Sequence, residues 1–292
     1  MKIGVLGLGR MGLPFCERLL GAGHMVGAYD VDPARRALAV KAGASDACSA
    51  REVGAAVEVS ISMLLDSATT HAALLGDDGL LVDAAPGHVH LCMGTVGMSG
   101  AMSLAQAVQG RGHRYVDAPV SGSAGSAQSG SVLSLIGCDL DLFDQAREIV
   151  RPLSAAQIYL GPVGHASAAK LAINAVISAT HAAVAESLNL SDALGVDRNL
   201  MYAALATSAV SSPYISYKRD GFLNPTTSPV LATVRVLHKD VALALDEARN
   251  VGCPMKTVAT TEALLGALGA DGSWDQDVVS LLPYLAAMSR GA

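Results

Sequence analysis

The chain opens on a short apolar run, Lys2 to Leu6, which reads as a buried strand. A glycine turn, Gly7 to Gly12, follows, and residues 11–22 have helical content ending near Gly23. Met25 to Tyr29 predicts a second strand that stops at Asp30. Residues 33–42 predict a helix, and Val57 to Leu65 another buried strand. Further apolar runs lie at Leu80 to Val82, His113 to Val116 and Val132 to Ile136. Buried strands alternating with helices up to about residue 160 predict a doubly wound parallel sheet, an α/β arrangement of the Rossmann type.

The pattern then changes. Residues 165–195 read as one long Ala-rich helix with no Gly or Pro before Gly195. Helical periodicity returns at 198–208, 230–250, 255–268 and 275–290, while Ser211 to Pro229 is a mixed Pro, Gly, Ser and Thr segment. The expected organisation is a dinucleotide-type domain over 1–161 and an all-helical domain over 162–292, joined at Gly161-Pro162 by the long helix.

Composition narrows the classes. The chain has 292 residues, 51% of them hydrophobic and 16% charged, and a net charge of -6 with no basic run. Nucleic-acid binding needs a positive face, so it is not expected. Five scattered cysteines with no C-x-x-C spacing fit reduced thiols and a cytoplasmic setting. Met1-Lys2 runs straight into a strand, without a signal-peptide pattern. The apolar stretch at 171–190 is broken by Asn174, His181, Glu186 and Asn189, which fits a buried helix better than a membrane span.

Gly7-Leu8-Gly9-Arg10-Met11-Gly12 is a G-x-G-x-x-G sequence between a strand and a helix. Alone such a pattern is only a tight turn. In this position it suits a dinucleotide: Gly7 permits the turn, Gly9 admits the pyrophosphate, and Gly12 packs the helix on the strand. The helix N-terminus presents free N–H groups to the phosphates. Asp30 lies 18 residues after Gly12, where a carboxylate accepts from the adenosine ribose hydroxyls and repels a 2′-phosphate. NAD is therefore expected over NADP. Arg35 and Arg36 would soften that preference, but read more simply as a solvated pair on a helix.

Four ordered stretches resemble the β-hydroxyacid dehydrogenases, the group of 3-hydroxyisobutyrate dehydrogenase and tartronate semialdehyde reductase. They are Val5 to Pro14, Asp117-Ala-Pro-Val-Ser-Gly-Ser123, Gly161-Pro-Val-Gly164 through Lys170 and Asn174, and His238-Lys-Asp-Val-Ala-Leu-Ala244. The resemblance implies a catalytic Lys170 with Asn174 helping to hold the substrate. Ser121, Gly122 and the backbone of Ser123 would take the substrate carboxylate. Arg10 and Met11 in the glycine turn, Met63 and Leu64, Thr95 near the nicotinamide, and Lys239 would border the cofactor, with Asp240 positioning its segment. A homodimer or homotetramer packed through the long helix is also implied. The chain departs from the family at Ser123, commonly Gly; at Gly94, commonly a small hydroxyl residue; and over 230–237, which lacks an aromatic.

Lys170 and Asn174 are spaced i, i+4 and share a helix face. A lysine taken out of water holds its proton less tightly, which suits exchange with a hydroxyl or carbonyl oxygen. Without the surrounding motif, the ordinary reading of such a lysine is a solvated side chain. His181 falls on roughly the same face, where a hydrogen-bonded packing histidine is the simpler reading. Ser121-Gly122-Ser123 lacks a nucleophile elbow. His71, His88, His90 and His113 have no zinc-like spacing with the cysteines, so no metal is expected. Two rivals remain: an imine reductase, in which Asp or Tyr commonly replaces the lysine, and a dinucleotide-binding sensor without turnover.

Overall fold

The computed structural model describes residues 1–288. Its first unit runs from Met1 to Leu171. In chain order its elements are β1 (Lys2–Leu6), α1 (Gly12–Gly21), β2 (Met25–Tyr29), α2 (Pro33–Ala42), β3 (Ser45–Asp46), α3 (Ala50–Ala56), β4 (Val59–Ser62) and α4 (Ser67–Leu75). There follow β5 (Val89–Cys92), α5 (Met98–Gln109), β6 (Arg114–Asp117), β7 (Val120–Ser121), α6 (Ala124–Ser129), β8 (Val132–Gly137), α7 (Leu140–Val150) and β9 (Ser154–Gly161). The unit ends in the first turns of α8 (His165–Ala193). Helix starts carry side-chain caps: Asp32 accepts from Ala34 N–H with Pro33 at the first helical position, and Asp66 accepts from Thr69 N–H.

Strands β3-β2-β1-β4-β5-β6 form a parallel sheet in that order, and β8 joins β6 antiparallel while pairing with β7 and β9. The chain reverses direction across the sheet between β2 and β4 on either side of β1. That switch point is where open α/β sheets bind ligands, at the carboxyl ends of the strands. Both faces are covered. Ile3, Val5, Phe15, Leu19, Val116 and Ile149 fill one core, and Leu6, Val53, Leu74, Leu80, Leu104 and Tyr115 the other. Burial on both sides explains the unbroken apolar runs seen in the sequence.

The second unit begins at Ala172, inside α8. It continues through α9 (Arg198–Thr207), α10 (Pro213–Leu223), α11 (Val234–Asn250), α12 (Lys256–Leu268) and α13 (Leu281–Met288). Leu188, Tyr202, Phe222, Val241, Leu265 and Leu281 build its core. Among the described residues α8 alone is long and apolar enough to cross a membrane. Two of its polar members are engaged within the second unit: Asn189 donates to Leu282 O, and both His181 nitrogens are bonded. A buried ion pair, Lys218 Nζ to Asp277 Oδ1 at 2.8 Å, ties α10 to the turn before α13. Asp277 also accepts the N–H groups of Leu231, Ala232 and Val279.

Several elements differ from expectation. Leu80–Val82 is one turn of 3-10 helix, in which Leu80 and Leu81 plug the core and Val82 is exposed. Val89–Cys92 is a central strand, its His90 and the preceding His88 made compatible with burial by hydroxyls of the neighbouring strand. Ser154–Gly161 extends the sheet beside β8. Within the mixed segment Ser211 to Pro229, Ser212 caps and Pro213 opens a helix, α10. The stretch 275–290 is broken by a short 3-10 turn at Val278–Ser280, and its last residues lie outside the described ones. By packing, the seam falls after Leu171, later than Gly161-Pro162, because the opening turns of α8 are bonded to the sheet.

Candidate active site

The glycine turn joins β1 to α1. Gly7 has φ +85°, and a Cβ at Gly12 would stand 1.8 Å from Gly7 O, so both positions are closed to larger residues by the protein itself. Gly9 is different. A Cβ there would meet only the Arg35 guanidinium, at 3.6 Å. The fold does not need glycine at 9, and its absence of a side chain leaves the main chain there open to close approach. The cap residue of α1, Met11, offers no side-chain acceptor, and no acidic residue sits in the first turn. The N–H groups at this positive helix end are suited to a diphosphate.

Asp30, at the end of β2, is buried and tied to this turn. Its Oδ2 accepts Leu8 N–H at 2.7 Å and its Oδ1 accepts Asp32 N–H at 2.9 Å. Each oxygen retains a lone pair for a ribose hydroxyl. Arg35 reaches to 3.8 Å from Asp30 Oδ2, between that carboxylate and Gly9. Arg36 donates to Asp30 O at 2.9 Å and lies over the Tyr29 ring. The solvated reading thus holds for Arg35, which stays half exposed, while Arg36 is drawn back onto β2 by the Asp30 carbonyl and the Tyr29 ring.

Residues 63–64 and 94–95 follow β4 and β5. A Cβ at Gly7 would meet Met63 O at 2.5 Å and Leu64 Cδ2 at 2.9 Å, so this loop is packed on the glycine turn. A Cβ at Gly94 would meet Leu64 O at 2.4 Å. That contact accounts for glycine at this position. Thr95 beside it is half-buried. Ser121 closes β7, and Ser123 caps α6, its Oγ accepting Ser126 N–H at 3.3 Å. The Ser123 departure therefore serves the local helix start.

Lys170 lies on α8 and is 8% exposed, so the solvated reading of this side chain does not hold. Asn174 follows on the same helix. In the second unit its Nδ2 donates to Asp240 Oδ2 at 2.7 Å, while Lys239 Nζ stands 2.6 Å from Asp240 Oδ1. Asp240 thereby fixes which way the Asn174 amide faces. His181 is a packing residue. Its Nε2 donates to Val278 O at 2.8 Å, leaving Nδ1 to accept from Tyr214 OH at 2.7 Å; burial first, then Lys218, push its pKa down to about 4. His71 is exposed on α4, and both His90 nitrogens meet serine hydroxyls.

Residues 2–161 match the family model described as the NAD binding domain of 6-phosphogluconate dehydrogenase, and residues 164–285 that of the NAD-binding part of NADP-dependent 3-hydroxyisobutyrate dehydrogenase. The chain belongs to the β-hydroxyacid dehydrogenase family. It is an NAD(P)-dependent dehydrogenase acting on a CH–OH group. An NAD-dependent L-serine dehydrogenase of Pseudomonas aeruginosa is 32% identical over 71% of this chain and 70% of its own. A glyoxylate/succinic semialdehyde reductase of Arabidopsis thaliana is 27% identical over 100% of this chain and 82% of its own. A 3-hydroxyisobutyrate dehydrogenase structure from Salmonella typhimurium superposes with TM-score 0.89 at 22% identity, covering 97% and 99% of the two chains, and shows the same fold.

Sequence reasoning on this dehydrogenase passed over two residues that hold its parts in place. In the sequence Asp117 is only the first residue of a motif, and Ser167 belongs to none. The structure bonds them to each other. Their separation of 50 residues left no local signal that could have paired them.

Proposed function

We propose that this dehydrogenase oxidises a small β-hydroxyacid with NAD, Lys170 exchanging the hydroxyl proton. A bound nicotinamide supplies the hydride acceptor. Ser121, Gly122 and the Ser123 backbone hold the substrate carboxylate, which leaves the hydroxyl for Lys170. The carbinol carbon gives up hydride, the oxygen gives up its proton to Lys170 Nζ, and the C–O bond becomes C=O; in reduction Lys170 returns the proton. Asn174, oriented by Asp240, hydrogen-bonds the same oxygen or its neighbour. The burial of Lys170 carries this reading, because it holds the amine inside the first unit, three residues past the anchored Ser167, rather than in solvent. Asp30 supports NAD over NADP: its carboxylate stands where a 2′-phosphate would meet negative charge, and Arg35 compensates only in part.

The test is a rate screen over 3-hydroxyisobutyrate, L-serine, glycerate and L-threonate with each dinucleotide, alongside Lys170→Ala. The variant should bind NADH as the parent does and lose about 1,000-fold in kcat, within the range of a general acid–base group. Near-parental turnover by the variant would overturn the role of Lys170. Turnover of cyclic imines in preference to every hydroxyacid would overturn the substrate class. A parent that binds NADH and turns over neither kind would be a sensor.

A further inference from the structure

The first four N–H groups of an α-helix have no partner within it, and the residue just before the helix ordinarily caps one of them. Before α8 that residue is Gly164, which has no side chain. The cap comes instead from the end of β6. Asp117 is completely buried, and its Oδ2 accepts Gly164 N–H at 3.1 Å and Ser167 N–H at 2.8 Å. Its Oδ1 accepts the Ser167 hydroxyl at 2.7 Å. Burial pushes the Asp117 carboxyl up in pKa, and the donors of Ser167 and Gly164 pull against that. A carboxylate at this end of a helix also meets the positive end of the helix dipole.

Two chain segments leave this one carboxylate. Four residues after Asp117 comes Ser121, at the start of the carboxylate-holding segment. Three residues after Ser167 comes Lys170, on the same helix face. Both belong to the first unit. We propose that Asp117, with Ser167 as its second leg, is a positioning residue that sets the distance between the substrate-holding segment and the Lys170 amine. The inference rests on the reading of Lys170 as the proton-exchanging group. Asp117 acts by fixing the height and rotation of the opening turns of α8. Misplacing a reacting group by about 1 Å costs on the order of 100-fold in rate, with little change in ground-state binding.

The experiment compares Asp117→Ala, Asp117→Asn, Ser167→Ala and Lys170→Ala with the parent. It reads kcat and KM with the best acid of the screen above, NADH affinity by fluorescence, and hydrogen exchange over residues 163–171. Asn can accept both N–H groups through its amide oxygen and donate to Ser167 Oγ, so it keeps the geometry and removes the charge. Asp117→Ala should lose about 100-fold in kcat, with KM and NADH affinity within about threefold of the parent. Exchange over 163–171 should quicken about tenfold or more in the same variant. Asp117→Asn should recover most of both, and Ser167→Ala should show a smaller loss of the same kind. A fall in melting temperature with kcat and 163–171 exchange unchanged would overturn the proposal. Should Asp117→Ala fail to fold, Ser167→Ala decides: unchanged kcat and exchange there would overturn it equally. Near-parental turnover by Lys170→Ala would sink the lysine reading instead, and a parent inactive on every acid would sink the substrate reading; in both cases hydrogen exchange still decides whether Asp117 anchors the helix.

Discussion

Lowering the pH from 7.5 to 5 should weaken the first unit by about 4 kcal/mol. The cause is a buried chain of side chains across β4 and β5. Ser62 Oγ lies 3.0 Å from His90 Nε2, His90 Nδ1 is 2.8 Å from Ser60 Oγ, and Ser60 Oγ is 2.8 Å from His88 Nε2. Burial, and then the neighbouring histidine in each case, push His88 down to about 4 and His90 down to about 3. In the unfolded chain both titrate near 6.5. The unfolded state therefore binds more protons below pH 6.5, and the stability these groups contribute is full above that pH and lost as the pH falls toward their folded values. At pH 5 each has forfeited roughly 1.5 units at 1.36 kcal/mol per unit, about 2 kcal/mol apiece. Asp117 has the opposite sign, since its raised folded pKa favours the native state in acid, and it offsets part of the loss at the acid end. The assay is hydrogen exchange at residues 59–62 and 89–92 across a urea series at both pH values. With a slope of about 2 kcal/mol per molar urea, the midpoint should fall by about 2 M. Replacing the chain by Ser60→Ala, His88→Leu and His90→Leu together should flatten the pH dependence, whatever it does to absolute stability. Equal midpoints at pH 7.5 and 5 in the parent would refute the reasoning.

Two other substitutions probe the rest of the molecule. Gly9→Ala should weaken NADH binding by about tenfold or more while leaving the melting temperature within about 2 °C, because the fold leaves room for a Cβ and a closely approaching dinucleotide does not; fluorescence titration and a thermal melt read the two effects. Lys218→Met should destabilise the second unit by about 3 kcal/mol, since it leaves Asp277 charged and buried with only backbone N–H partners, and adding Asp277→Asn should restore part of that in a denaturant titration.

What was legible in the sequence was whatever local pattern decides. The glycine turn, β1, β2 and α8 announce themselves because periodicity and turn chemistry are properties of neighbouring residues. Val89-His90-Leu91-Cys92 was passed over because a histidine is a poor core residue until Ser60 and Ser62 of the adjacent strand supply its hydrogen bonds. Leu80–Val82 misled for the converse reason: an apolar triplet says that a segment is buried, not how its backbone runs. The helix α10 was readable in principle from Ser212-Pro213, a capping serine before a first-turn proline, but Gly221 and the surrounding Ser and Thr outweighed it. At the site, motif position brought forward Gly9, Asp30 and Lys170. The carboxylate that anchors α8 was out of reach, because its partners lie 47 and 50 residues away.

The anchoring of α8 bears on how this polypeptide can be dissected. A fragment ending at Gly161, where the first family match stops, would keep the whole sheet yet leave the Asp117 carboxylate with none of its three donors. Such a fragment would have to protonate that group or let water in. A self-standing cofactor-binding piece must therefore carry the opening turns of the following helix, so the shortest sensible excision ends after Leu171.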